Sequence, residues 1–334
     1  MKNILITGWM WFIGSHTVVA LIEAGYQPII FDNLSNSSST VLQNIQKITN
    51  IAVSFIQGDI RNKDDLQQIF SQYTIDAVMH FAALKSVGES CSKPWLYYEN
   101  NIGGTINLLN VMEEYNVTKI IFSWSATVYW DAASPISEAS PTGDVTNPYG
   151  MTKRLCEKLL EEKSCFSTLQ AISLRYFNPI GAHPSGLIGE QVIWIPNNVF
   201  PYIMKVVSGE LASIKVFGSD YPTPDGTGVR DYIDIIDLAD GHIAALKYLS
   251  TWSNPGFDAI NLGTGRWTSV LELITTTARL AQKDIPYIIT ERRPGDVSAV
   301  YAGVDKAKKI LWWEAHYGVE DSVRNALQFM HHYE

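Results

Sequence analysis

Six short runs, at residues 4–6, 29–31, 53–56, 77–81, 120–123 and 171–177, are almost wholly apolar and rich in branched side chains. A strand with one wet face alternates apolar and polar residues, whereas a strand covered on both faces reads as one apolar run. Between the runs, residues 15–23, 63–72, 102–115 and 149–162 carry helical patterns long enough to be the crossovers that parallel strands require. The first 178 residues therefore read as a doubly wound parallel α/β sheet. After Pro179 the rhythm gives way to Gly-, Pro- and Asn-rich text at 181–186 and 221–226, the pattern of functional loops. A boundary is expected there, with one domain over 1–178 and a smaller α/β domain over 179–334. Residues 35–39, a serine-rich run, read as a polar loop, and no internal repeat or low-complexity tract interrupts the chain.

Composition narrows the function. With 46% apolar and 18% charged residues, the 334-residue chain has matter for a sizeable core. A balance of 34 acidic against 25 basic residues gives a net charge of -9, the wrong sign for a broad phosphate-backbone footprint, so no nucleic acid partner is expected. Cys91, Cys156 and Cys165 lack CxxC spacing and fit a reducing cytoplasm better than a disulfide framework. The opening residues are too brief an apolar stretch for a signal core or a membrane span, so a soluble intracellular protein is expected. His16, His80, His183, His242, His316, His331 and His332 lack metal-ligand spacing apart from the terminal pair, which reads as a solvated helix end, so no metal is expected.

The segment from Ile4 to His16 places Thr7, Gly8 and Gly14 at the first strand-to-helix turn. In a Rossmann sheet this turn aims backbone N–H groups and a helix dipole at a pyrophosphate. Asp32 closes the second run, where a carboxylate can bond both ribose hydroxyls and repel a 2′-phosphate, which favours NAD over NADP. A strand-end aspartate capping the next loop reads the same way. Further on, Tyr149 and Lys153 form YxxxK at the start of a helix, four residues apart and so on one face, a spacing that an ordinary exposed helix pair also has. A free phenol titrates near 10, so a base near neutrality needs a downward shift of about 3 units, about 4 kcal/mol, which a neighbouring ammonium and an oxidised nicotinamide favour in sign. Ser125 ends a strand one helix earlier, where ligands of such sheets bind, although a helix-capping serine would occupy the same place.

With these motifs the chain resembles the extended short-chain dehydrogenase/reductases, in particular their UDP-hexose 4-epimerase branch, over essentially its whole length. The resemblance implies interconversion of UDP-glucose and UDP-galactose through oxidation at C4, rotation of the 4-keto sugar and re-reduction, with NAD retained. Ser125, Tyr149 and Lys153 would be catalytic. Gly8, Phe12, Ile13, Gly14, Asp32 and Asn33 would bind the cofactor with Asp59 and Ile60 at an adenine turn. Phe81, Ala82, Lys85, Asn100, Ser123 and Phe177 would flank its other parts, together with Tyr149 and Lys153. Lys85, Ser125, Tyr149, Asn178, Asn198, Arg230, Arg293, Asp296 and Tyr301 would hold the UDP-hexose, two of them arginines suited to forking onto phosphate oxygens. The residue near Tyr301 sets pocket size in this branch and here implies plain hexoses. A homodimer through residues 102–115 and 149–162 is also implied. A 4,6-dehydratase would need a carboxylate beside the strand-end hydroxyl, and residues 125–128 contain none.

Several positions depart from the pattern. Trp9 and Trp11 stand at two glycines of TGGxGFIGSH, Trp130, Trp267 and Trp312 at further glycines, and Trp124 at a serine, while Trp194 lies in a stretch that does not match. An indole in the phosphate turn adds bulk where phosphate oxygens belong, so poor NAD binding is expected there. The alternative is a catalytically impaired or silent sugar-nucleotide-binding relative. The pattern also points to tryptophans that arise from engineering, gene damage or a misrecorded sequence. Trp95, Trp252 and Trp313 read as core packing. Asp234 replaces the branch's histidine and is given no catalytic role.

Overall fold

The computed structural model describes residues 1–8, 12–35, 40–129, 132–143, 145, 147–190, 198–293 and 295–333. Of the tryptophans at motif positions, Trp9, Trp11, Trp130 and Trp194 lie outside the described residues. The chain divides into two compact units, one of residues 1–130, 142–175 and 239–260, the other of 131–141, 176–238 and 261–334.

The first unit begins with β1 (Asn3–Thr7), α1 (Phe12–Glu23), β2 (Gln27–Asp32), α2 (Thr40–Thr49), β3 (Ser54–Gln57), α3 (Lys63–Gln72) and β4 (Ala77–His80). Two short helices, α4 (Val87–Ser92) and α5 (Pro94–Tyr97), lead into a π-helical turn (Tyr98–Gly103) and α6 (Gly104–Glu114). Then come β5 (Lys119–Ser125), a 3₁₀ turn (Ala126–Tyr129), α7 (Pro148–Phe166) and β6 (Gln170–Tyr176). In the second unit follow β7 (Asn178–Ile180), α8 (Val199–Val207), β8 (Ile214–Phe217), β9 (Val229–Arg230) and β10 (Tyr232–Asp234). Most of α9 (Ile235–Ser250) and β11 (Gly256–Leu262) return to the first unit, before β12 (Thr268–Ser269), α10 (Val270–Ala281), β13 (Tyr287–Thr290), β14 (Ala299–Val300) and α11 (Val319–Tyr333) complete the second.

The main sheet has seven strands in the order β11-β6-β5-β4-β1-β2-β3. Pairs β1–β2, β1–β4, β2–β3 and β4–β5 are parallel, and the order reverses direction between β1 and β4. That reversal opens the crevice at the strand C-termini where doubly wound sheets bind ligands. The continuous apolar runs have the expected cause: Ile4, Leu5, Ile6, Ile29, Ile30, Val78, Met79 and Ile120 are each at most 1% exposed. Burying such a side chain contributes roughly 1.5–3 kcal/mol. The helical run at 102–115 splits into the π-helical turn and α6.

The second unit has its own core, in which α8, α10 and α11 bury Phe200, Ile203, Leu273, Ile274, Val323 and Leu327. Its small sheets are β10–β7, β12–β9–β14 and β13–β8. Of the three tryptophans read as core, Trp313 is buried, Trp252 is half-buried and edge-on to Tyr248 at 5.6 Å, and Trp95 is 81% exposed. Trp95 lies in the first turn of the four-residue helix α5. Among the described residues no helix is long and apolar enough to cross a membrane.

Candidate active site

The phosphate-type turn starts where β1 ends. Gly8 has φ +71°, and a Cβ there would lie 2.2 Å from Cα of Ala82, so glycine is required both by its backbone and by the close approach of the segment after β4. Its N–H donates to the Phe31 carbonyl at 3.0 Å. Phe12, Ile13 and Gly14 form the first turn of α1, with Phe12 and Gly14 buried and Ile13 half-buried, and the N-terminal end of that helix lies at the β1 C-terminus. Asp32 terminates β2 and accepts from the Leu34 N–H at 2.7 Å, so the loop-capping reading is realised by one carboxylate oxygen, Oδ1.

Asn33 donates to Asp59 at 3.1 Å, which ties the end of β2 to the turn after β3. Arg61 forks onto the same carboxylate at 3.0 and 2.7 Å and holds Asp59 at about 2, below the usual carboxylate range, against the upward pull of partial burial. Ile60 is buried against Gly104, where a Cβ would strike its Cδ1. Phe81 and Ala82 follow β4, with the Phe81 N–H donating to Thr7 O at 2.8 Å. Lys85 is exposed in the same loop, and Asn100 is buried in the π-helical turn.

Asn101, beside Asn100, was not singled out by the sequence. Its side chain accepts from Leu84 N at 2.8 Å, donates to Leu84 O at 3.0 Å and to Thr152 Oγ1 at 3.0 Å, and accepts from Asn100 at 3.0 Å. It joins the loop after β4 to α7. The signal was the Asn-Asn doublet itself, two adjacent amides each carrying donors and acceptors.

A second link lies one layer deeper. Thr105 Oγ1 donates to Asn101 O at 2.6 Å, so it must accept from His80 Nε2–H at 3.0 Å. His80 Nδ1 then accepts from Thr7 Oγ1 at 2.6 Å. Burial holds this neutral ring down at about 3.

α7 starts with Asn147 as N-cap, accepting from Gly150 N at 2.9 Å, and Pro148 at its first position. Tyr149 and Lys153 follow one turn apart. Lys153 is 4% exposed, donates to the Ser123 carbonyl at 2.9 Å and stands 4.8 Å from the Phe122 ring centroid. Burial pulls its ammonium down to about 8. Burial likewise pushes the Tyr149 phenol up to about 12, opposite to what a base needs. A phenolate at Tyr149 would require positive charge beyond what the chain alone supplies. Ser125, half-buried at the end of β5, accepts from Thr127 N at 3.3 Å and so caps the 3₁₀ turn.

In the second unit, Asn178 opens β7 opposite Tyr232, and its N–H donates to Asp231 O at 2.9 Å. Phe177 is buried. Arg230 pairs with Thr268 and Val300, which brings it beside the strand that leads to Tyr301. Arg293 stacks at 4.4 Å on Phe217 and lies 3.9 Å from Asp296. Asn198 is the exposed N-cap of α8 and makes no side-chain cap bond. Asp231, also missed by the sequence reading, is fully buried and accepts from Thr264 N and Oγ1, Gly265 N and Ala302 N. Asp234 bonds Ser322 at 2.5 Å and caps Ile236 N at 2.8 Å, a structural duty, and burial raises it to about 6.

Among the tryptophans at motif positions, Trp124 is 2% exposed in β5 and its indole N–H finds no partner among the described residues. Trp312 is 92% exposed with φ +54° and ψ +37°, a left-handed helix-ending position usually taken by glycine. Trp267 is 43% exposed.

The sheet order, the glycine turn and the YxxxK helix define a dinucleotide-binding protein of the short-chain dehydrogenase/reductase class. The family model described as GDP-mannose 4,6 dehydratase matches residues 5–326. UDP-glucose 4-epimerase 2 of Arabidopsis thaliana is 48% identical over 329 residues, 97% of this chain and 93% of the relative. The Bifidobacterium longum UDP-glucose 4-epimerase, solved with NAD+ and UDP, is 45% identical with a TM-score of 0.93, covering 99% of this chain and 98% of that one. The Stenotrophomonas maltophila enzyme, solved with NAD and formylated UDP-arabinopyranose, is 41% identical with a TM-score of 0.96, covering 100% and 99%. The chain belongs to the UDP-glucose 4-epimerase family. Similarity of this extent does not favour the impaired or silent relative considered from the tryptophans.

Proposed function

We propose that this chain is an NAD-dependent isomerase that interconverts UDP-glucose and UDP-galactose by inversion at C4. The observation that carries the reading is the start of α7, where Tyr149 is followed one turn later by the buried Lys153, whose ammonium donates to the Ser123 carbonyl of β5, the strand that ends on Ser125. The described residues fit a dinucleotide: Gly8, left-handed and packed against the Ala82 backbone, makes the tight turn after β1, α1 follows it, and Asp32 and Asn33 stand at the end of β2. They would hold it with Asp59, Ile60, Phe81, Ala82, Lys85, Asn100, Ser123 and Phe177. When bound, NAD accepts the C4 hydride and returns it to the other face of the sugar.

The chain's own work is proton management and orientation. Tyr149 takes the proton from the 4-hydroxyl in one half of the cycle and returns it in the other. Its phenol, raised by burial to about 12, becomes a usable base only where the Lys153 ammonium and the charge of the oxidised cofactor act on it together. Ser125 directs the 4-oxygen. Asn178, Asn198, Arg230, Arg293 and Asp296 hold the uridine diphosphate, and Tyr301 limits room at the sugar so that plain hexoses are preferred. Residues 1–178 supply most of the cofactor side and 179–334 the nucleotide-sugar side. The protein works in the cytoplasm as a homodimer through 102–115 and 149–162, in keeping with exposed Ile106 and Leu155 on those helices and with exposed free Cys91 and Cys165.

Purified protein given UDP-galactose tests this. Appearance of UDP-glucose, on retained or added NAD, is the expected result. UDP binding with no turnover, with or without added NAD, would show a binding module instead.

A further inference from the structure

A buried ionic cluster lies behind the α7 pair and takes no part in the chemistry above. Arg175 on β6 donates through Nε and Nη2 to the two oxygens of Glu157 on α7, at 3.0 and 2.9 Å. Its third nitrogen, Nη1, donates to the Tyr129 hydroxyl at 2.6 Å, and its guanidinium carbon lies 4.9 Å from the Tyr129 ring centroid. The Arg175 and Glu157 side chains are 7% and 10% exposed, and Tyr129 is 1% exposed. Charges removed from water in this way add little net stability compared with apolar residues of the same volume, and their use is a fixed geometry. A guanidinium engaged on three sides has no freedom to shift.

The cluster's ends are what matter. Glu157 follows Lys153 by one turn of α7. Tyr129 ends the 3₁₀ turn that Ser125 begins. We propose that Arg175, Glu157 and Tyr129 are positioning residues that fix α7 in register against the Ser125 turn, so that the Tyr149 phenol and the Ser125 hydroxyl reach one substrate oxygen together. The proposal rests on the epimerase reading for the identity of that oxygen. Loss of any arm lets α7 slide relative to β5, and misplacement of reacting groups by a fraction of an ångström to 1 Å lowers the rate without weakening ground-state binding.

Tyr129→Phe removes one acceptor and keeps the buried ring, and Glu157→Gln keeps the shape while weakening the fork. Each is assayed as purified holoenzyme for kcat, KM for UDP-galactose, bound NAD and thermal midpoint. The expected result is kcat lower by on the order of tenfold or more, with KM and NAD content unchanged. Arg175→Lys, which keeps the charge but cannot engage both partners, should lower kcat at least as far as Tyr129→Phe. A lowered midpoint with kcat per folded molecule unchanged in Tyr129→Phe and Glu157→Gln shows a merely structural cluster and overturns the proposal. Wild-type turnover beside those unaffected variants overturns this proposal alone, whereas a wild type without turnover overturns the epimerase reading and this proposal with it.

Discussion

Replacing Lys153 with methionine exposes the cost of holding an ammonium inside the first unit. In the cofactor-free protein burial draws Lys153 from 10.5 down to about 8. Between those values the unfolded chain carries a proton that the native chain has lost, so native stability rises with pH across the window and is lowest below pH 8. From pH 7 to pH 9.5 the relief spans about 1.5 pH units, or about 2 kcal/mol. Lys153→Met keeps a chain of similar length over the Phe122 ring and has nothing to titrate there. Urea unfolding of NAD-stripped wild type and variant at both pH values should therefore show wild type gaining about 2 kcal/mol on the variant as pH rises. Tyr149 works in the opposite sense, since its phenol goes from 10.0 up to about 12, but it enters only above pH 10. A wild-type minus variant difference that stays flat from pH 7 to 9.5 would mean instead that the ammonium is solvated.

His80 should make the fold acid-sensitive: with the native ring at about 3 and an unfolded ring near 6.5, acidification from 6.5 to 5 costs about 2 kcal/mol that His80→Gln does not lose, measurable by denaturant midpoints. Trp312→Gly should raise stability by about 1 kcal/mol, because it relieves a left-handed L-residue while giving up no buried surface. Trp9→Gly combined with Trp11→Gly should increase retained NAD after gel filtration, and unchanged retention would show the steric account of that turn to be wrong. Peptide masses across positions 9, 11 and 130 decide whether these tryptophans are genuine: glycine masses there remove the objection to NAD binding at the first turn, and tryptophan masses uphold it.

Strands β1, β2, β4, β5 and β6 were legible because a sheet covered on both faces writes its burial directly into the sequence, as Ile4–Ile6 and Ile29–Phe31 do, while β3, only half-buried at the sheet edge, was read from its apolar run alone. α2 was not read, although Val41, Ile45 and Ile48 keep helical spacing, because the serine run before it reads as loop. The π-helical turn was hidden for a different reason: one extra residue per turn leaves no mark in apolar periodicity, and it is held by Asn101 reaching to Leu84 and Thr152. The return of 239–260 to the first unit is a long-range strand pairing with no local signature. At the site, YxxxK placed Tyr149 and Lys153 one turn apart, but the sign of the phenol's shift required knowing how little solvent reaches it. Asp231 was invisible because its partners, Thr264, Gly265 and Ala302, lie far along the chain.

In the proposed function Tyr149, next to Lys153, moves the proton of a sugar hydroxyl while NAD carries the hydride. Its most direct measurement is conversion of UDP-galactose to UDP-glucose by purified wild type and Tyr149→Phe, with bound NAD quantified in both. Turnover in the wild type and a loss of about 10²- to 10⁴-fold in the variant at equal NAD content is the predicted result. Equal rates in the two proteins would contradict it.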